Sequence, residues 1–248
     1  MAEDAIKHTA VVFIHGFLGF GELRLPVGRV AYFRGLRTTM DDLGVSGYFP
    51  SLPAGRSVAE RATALATFLE TIPEPGLILI AHSMGGLDSR YLIHKLDPEH
   101  RVRRLVTIGT PHRGTALAEW ALHAPRILNW LGRVFGRRAL EDLRPSACDR
   151  FNKEIPDRSD VVYSSYAANR PIAEMPLLLR RWARIVAREE EGDNDSQVSV
   201  PSARWGEFKG VLMADHIELL GWNLARRKKP KPFDHISFYR DLVASMLA

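Results

Sequence analysis

The sequence predicts a single α/β domain covering residues 1–248, built on a mostly parallel sheet with helices on both faces. Three observations carry this expectation. Apolar runs of strand length recur, each stopping at a glycine or small polar residue, and stretches of helical period separate them. At 248 residues and 46% hydrophobic content, the chain can bury one substantial core without a second domain. Strands that alternate with amphipathic helices imply crossover connections, which lay helices on the sheet and bury it on both sides.

Taken in order, TAVVFIHG at 9–16 reads as a buried parallel strand ending at Gly16, and GYFPSLP at 47–53 as a shorter extended piece. Ser57 is placed to cap a helix, with Glu60 positioned to complete a capping box. Val58, Ala62, Leu65, Leu69 and Ile72 then share one face before Pro73 ends the helix. LILIA at 77–81 is the next strand, followed by a helix from about Met84 to Leu96 and the strand RRLVTIG at 103–109. DVVYSSYAA at 160–168 is a further strand, and the last helix begins near His235. Residues 115–157 are too many for a simple connection, so an excursion over the sheet edge is expected there.

Composition narrows the field. The formal charge is +5, from 34 basic and 29 acidic residues, but the arginines are scattered and no reader motif accompanies them, so no nucleic-acid partner is expected. No apolar run reaches the ~18 residues of a membrane span, and MAEDAIKHTA lacks the apolar segment of a signal peptide. The lone Cys148 fits a reducing compartment, and a cytoplasmic location is expected. Nothing in the sequence specifies an oligomeric state.

In sheets of this kind chemistry gathers at the carboxyl ends of the strands. Three such ends carry polar or glycine-rich signals: HGFLG, AHSMGG and GTPHRGT. A strand, then AHSMGG, then a helix is what a nucleophile elbow needs. The serine must occupy a sharp, strained turn, so the residues two before and two after it must be small, as Ala81 and Gly85 are around Ser83. The helix that follows aims its N-terminus, and the Met84 backbone N–H, at a developing oxyanion. HGFLGF at 15–20 offers the Phe17 N–H as a second donor, with Gly16 and Gly19 allowing close approach and His15 organising the loop. The plain alternative is a serine N-cap on an ordinary strand–helix unit.

In order and spacing, HGFLG, AHSMGGLDSRYL and TIGTPHRGT resemble the α/β-hydrolase superfamily, and within it the bacterial triacylglycerol lipase and esterase group. The resemblance implies hydrolysis of hydrophobic carboxylic esters through an acyl-serine intermediate on Ser83, without an organic cofactor. A base and an acid should follow the serine late in the chain. Elimination among the nine histidines leaves His216 in GVLMADHIELLGW and His235 in FDHISFYRDL, while EEEGDND offers Asp193 and Asp195. NDSQVSVP matches the acid segment of the lipase group with Asp195 in the acid's place, and the 21-residue step to His216 is similar too, which assigns Asp195 and His216. Some lipases of this type brace the histidine loop with calcium. Here Asp215, Glu218 and His235 define no complete oxygen cage, and no metal is expected.

The segment APRILNWLGRVFGRRALEDL at 124–143 places Ile127, Leu131, Val134 and Phe135 at helical spacing among arginines. It reads as a lid over an acyl pocket that makes transient contact with a lipid interface, or as a fixed cap that completes the core. RRKKPKP at 226–232 raises the same lipid contact. Acyl transfer, thioester, phospholipid or polyester hydrolysis, and a binding protein on a degenerate hydrolase fold are the rival readings.

Overall fold

The computed structural model describes residues 8–17, 22–25, 28–123, 136–190, 192–224 and 231–247, with 22–25 and 28–30 as backbone alone. The strands are β1 (Thr9–Ile14), β2 (Glu22–Leu25), β3 (Gly28–Ala31), β4 (Gly47–Tyr48), β5 (Gly76–His82), β6 (Val102–Ile108), β7 (Val162–Ala168) and β8 (Glu207–Leu212). β2 and β3 form a separate antiparallel pair, and the other six make a parallel sheet in the order β4-β1-β5-β6-β7-β8. The helices are α1 (Leu36–Asp42), α2 (Val58–Leu69), α3 (Gly85–Lys95), α4 (Ala116–His123), α5 (Arg137–Asp142), α6 (Pro145–Glu154), α7 (Leu177–Glu190), α8 (Val200–Ala203) and α9 (His235–Leu247).

Alternation along each central strand sends side chains to two cores. Val11, Phe13, Ile78, Ile80, Val106 and Ile108 pack beneath α1 and α9 with Leu36, Met40, Tyr239, Leu242 and Val243. Ala10, Val12, Ile14, Leu77, Leu79 and Leu105 face the other way, onto Ala62, Leu65 and Leu69 of α2 and Leu92 and Ile93 of α3. Both faces are covered, as the continuous apolar runs predict. The capping box at Ser57 and Glu60 is formed in both directions, and Ile72 is buried just beyond the end of α2. Register pairs Ile14 with Ala81 and His82 with Ile108, so β1, β5 and β6 release their chains at one level of the sheet.

Two expectations need correction. The extended piece at 47–53 pairs over Gly47–Tyr48 alone. The described parts of the excursion, 115–123 and 136–157, do not run over the sheet edge: Ala118, Ala139, Leu143 and Cys148 pack instead on Val58 of α2 and on Met84 and Leu87 at the start of α3, because the elbow exposes those apolar groups at the carboxyl end of the sheet. Asp142 fixes the arrangement by accepting the Val58 N–H at 2.7 Å at the beginning of α2. Ile127, Leu131, Val134 and Phe135 lie outside the described residues, as do Gly19 and most of the basic stretch 226–232. Among the described residues no helix is long and apolar enough to cross a membrane.

Candidate active site

β5 carries the chain straight into Ser83, whose φ of 56° lies in the left-handed region that non-glycine residues avoid. The Ser83 side chain does not cap α3, which has Met84 at its N-cap position without a side-chain cap, so the ordinary N-cap reading fails. The turn is held by the Ser83 N–H on the Ile108 carbonyl at 3.1 Å and by the Thr110 hydroxyl on the Ser83 carbonyl at 2.7 Å. Space around it is tight. A Cβ on Gly85 would stand 2.8 Å from the Ile14 carbonyl oxygen, and one on Gly16 would stand 2.6 Å from Ser83 Cβ, so strand β1 can deliver its loop against the serine only with hydrogen at both places. Among the described residues neither the Phe17 N–H nor the Met84 N–H has a protein acceptor. Both are therefore available to an oxyanion at the N-terminus of α3.

Asp195 and His216 meet at the carboxyl end of β6. His216 Nδ1 donates to Asp195 Oδ2 at 2.7 Å, and the His216 backbone N–H donates to the Asp195 carbonyl at 2.8 Å. The second carboxylate oxygen, Oδ1, accepts the N–H groups of Gln197 at 2.9 Å and Val198 at 2.8 Å. A Cβ on Gly109 would lie 3.0 Å from Asp195 Oδ2, which locates the pair directly over the end of β6, beside the elbow. With Nδ1 committed as a donor, the neutral ring keeps its lone pair on Nε2. The competing assignments do not assemble. Asp193 is exposed and holds Val200 through its backbone carbonyl, while His235 Nε2 donates to the Arg34 carbonyl at 2.8 Å, where it anchors the start of α9.

Residues 9–205 match the profile of the alpha/beta hydrolase fold. The chain belongs to that family. Triacylglycerol lipase 2 of Saccharomyces cerevisiae is 30% identical over 206 residues, which is 78% of this chain and 63% of the yeast protein. A triacylglycerol lipase of Pseudarthrobacter phenanthrenivorans is 31% identical over 47% of this chain and 37% of its own length. The chain thus spans less than two thirds of these relatives. Among solved structures, a metagenomic carboxyl esterase superposes with a TM-score of 0.80 at 20% identity, over 97% of this chain and 75% of the esterase. The mature form of a Bacillus licheniformis lipase gives 0.74 at 20% identity, over 96% and 91%. At that identity the likeness speaks for the fold.

Two buried arginines that belong to no motif, together with His15 of the HGFLGF loop, hold this hydrolase-fold site together. Arg61, on the inner face of α2, pairs with Asp88 at 2.8 Å and also donates to the carbonyls of Pro53 at 3.2 Å, His15 at 2.7 Å and Gly16 at 3.3 Å. His15 has one tautomer open to it. Its Nε2 accepts the Leu52 N–H at 2.8 Å, so Nδ1 carries the proton and donates to the Gly16 carbonyl at 2.9 Å. Burial and the neighbouring Arg61 cation bring His15 down to about 4, which keeps the ring neutral in this role. Because the peptide is planar and trans, holding the Gly16 carbonyl on one side aims the Phe17 N–H to the other.

Arg170 performs a similar service for the acid and base. Its guanidinium donates to Glu218 at 2.6 Å and to the Met213 carbonyl at 2.9 Å, while its backbone N–H reaches the Asn194 carbonyl at 3.4 Å, so one residue touches both loops. Glu218 also accepts the Asp215 N–H at 3.0 Å. The carboxylate that sequence reading considered for a cation cage is thus occupied by an arginine, and among the described residues no group of three or more His, Cys, Asp or Glu side chains is arranged to hold a metal. An arginine at position 61, on the apolar face shared by Val58, Ala62 and Leu65, was the available sign that α2 carries a buried charge.

Proposed function

We propose that this chain is a serine carboxylic-ester hydrolase of the lipase or esterase type, acting on esters with hydrophobic acyl groups. The observation that carries the reading is the strained Ser83 at the tip of the elbow, with the Asp195–His216 pair at the adjoining strand end and, nearby, two backbone N–H groups that have no acceptor among the described residues. The names of the relatives support the same class.

In this mechanism Ser83 Oγ attacks the ester carbonyl while its proton passes to His216 Nε2. The carbonyl oxygen takes the negative charge and is met by the Phe17 and Met84 N–H groups, an interaction realised in the transition state more than in the bound ester. Collapse breaks the bond to the alcohol, which leaves with the proton from His216. Water then repeats the sequence against the acyl-serine and releases the acid. Asp195, its second oxygen filled by two backbone N–H donors, keeps the His216 proton on Nδ1 and stabilises the ring when it is cationic. These side chains, the two backbone N–H groups and water account for every step, and no organic cofactor is invoked. Contact with a lipid surface is supported by Leu177 and Leu178, 81% and 65% exposed at the start of α7. Their helix packs through Leu179 with Met175 and Ile217, next to His216.

The test is hydrolysis of nitrophenyl esters of increasing acyl length by the wild type and by Ser83→Ala. Turnover that falls to background in the variant supports the reading, and wild-type turnover in the variant removes it.

A further inference from the structure

His82 precedes the serine and, apart from supplying bulk to β5, has no part in the mechanism above. It is 1% exposed and lies between two other side chains of the site. Its Nε2 is 3.1 Å from the His216 carbonyl oxygen, its Nδ1 is 2.9 Å from Tyr32 Oη, and the rings of His82 and His216 have centroids 4.5 Å apart. Tyr32 Oη in turn accepts the Gly16 N–H at 3.2 Å.

Hydrogen-bonding capacity fixes the direction of every link. A carbonyl oxygen can only accept, so His82 Nε2 must carry a proton toward His216. A neutral imidazole then offers Nδ1 as an acceptor, so Tyr32 must donate its hydroxyl proton there, which leaves an oxygen lone pair facing the Gly16 N–H. Burial, and secondarily the proximity of His216, holds His82 well below the usual histidine range, consistent with the neutral tautomer that this chain of bonds requires.

The topology gives the chain something to do. The Gly16 loop leaves β1 and the His216 loop leaves β8, and three strands separate them in the sheet. Ladder hydrogen bonds register each strand to its neighbour but do not set the height of one loop against the other across that span. We propose that Tyr32 and His82 are positioning residues for hydrolysis, forming a relay of fixed hydrogen-bond direction that ties the oxyanion loop at Gly16 to the backbone of the general base, His216. The relay crosses the sheet end through the residue adjoining the nucleophile, so the acid–base loop, the elbow and the oxyanion loop move as one body. The backbone of the Tyr32 segment is docked to the same histidine loop, with the Trp222 indole N–H on the Tyr32 carbonyl at 3.1 Å and the Arg34 N–H on the Leu220 carbonyl at 3.1 Å.

The proposal rests on the reading of Ser83, Asp195 and His216 as a hydrolytic triad, and one set of variants separates the two. Tyr32→Phe, His82→Phe, the double variant, His82→Gln and Ser83→Ala are compared on a soluble short-chain nitrophenyl ester, with thermal unfolding measured for each. Tyr32→Phe keeps the ring against His82 and removes only the hydroxyl. The expected result is a kcat about tenfold lower with KM within about twofold, since positioning acts on the transition state. Because Tyr32 acts partly through His82, the two losses should combine to less than their product in the double variant. His82→Gln, whose amide can still donate to the His216 carbonyl, should recover part of the activity lost in His82→Phe. If His82→Phe does not fold, Tyr32→Phe decides alone. A Tyr32→Phe enzyme with wild-type kcat, or losses that multiply, overturns the relay while an inactive Ser83→Ala leaves the hydrolase reading standing; an active Ser83→Ala overturns both.

Discussion

Arg61→Lys tests whether the oxyanion loop is held from behind. The substitution keeps the positive charge beside Asp88 in a fully buried site but replaces a planar fork with a single nitrogen. Arg61 now spans three directions at once: Asp88 at 2.8 Å, the Pro53 carbonyl at 3.2 Å and the His15 carbonyl at 2.7 Å, with Gly16 at 3.3 Å. One ammonium that stays on Asp88 forfeits at least two of the carbonyls. At ~1.5 kcal/mol for each hydrogen bond made by a charged donor, the loss is ~3 kcal/mol. In a chain of this size that lowers Tm by roughly 6–12 °C. The catalytic effect is separate. The Gly16 carbonyl keeps its bond from His15 and loses the guanidinium, so the peptide bearing the Phe17 N–H is held from one donor rather than two. Removing an oxyanion donor outright costs ~3–4 kcal/mol, and loosening it by less than half lowers kcat about tenfold. KM should hold, because the oxyanion exists only beyond the ground state. Steady-state kinetics on a soluble nitrophenyl ester and a thermal melt give both numbers. A variant whose kcat stays within about twofold of wild type refutes the idea that Arg61 aims the Phe17 N–H, whatever happens to Tm.

Other consequences can be measured alongside. His15 sits at about 4 in the folded chain, against ~6.5 when unfolded, so between these values the unfolded state takes a proton that the folded state refuses. Its contribution to stability is therefore complete above pH ~6.5 and is lost as pH falls toward 4, by up to ~3 kcal/mol; His15→Asn should flatten the acid limb of a urea-midpoint profile, and an unchanged slope counts against it. Arg170→Met leaves Glu218 buried without its cation and should cost ~3–5 kcal/mol, with Glu218→Gln in the same background restoring much of the loss in urea unfolding. Replacing Leu177 and Leu178 by Asp should lower the rate on emulsified ester about tenfold or more while leaving a soluble ester untouched, because each exposed leucine placed in lipid is worth ~1.5 kcal/mol or more. Equal loss on both substrates would point to misfolding rather than to the interface.

The elbow was legible in the sequence because its determinants are local: apolar strand, small residues around Ser83, then a helix, all within a few positions. Asp195 and His216 were legible as types in order, yet composition alone left Asp193 and His235 beside them. Only the fold shows that His235 is spent on the Arg34 carbonyl and that Asp193 is turned to solvent. Helix α7 was not anticipated, although Leu179, Ala183 and Val186 stand at helical spacing among its arginines. Arg61, Tyr32 and Arg170 were not legible as site residues. Their partners lie far away in the chain, at His15, His82 and Glu218, and side chains that act by binding distant backbone leave no pattern of residue types at fixed spacing.

That difference follows from what a parallel sheet can and cannot align. Its ladders bring the ends of β1, β5 and β6 to one level, which suffices to set Ser83 beside Gly16 and to bring Gly109 under the acid–base pair. They do not rotate a particular peptide so that its N–H points at the place where charge will appear, and in catalysis by preorganised donors that rotation carries the energy. Here the rotation is set by groups pulling on the opposite side of the peptide: the Gly16 carbonyl is held by His15 and Arg61, and its own N–H by Tyr32. Two of the three histidines nearest the serine, His15 and His82, are fixed in single neutral tautomers by this work. In the proposed mechanism proton exchange with the substrate therefore falls to His216, whose Nε2 has no partner among the described residues.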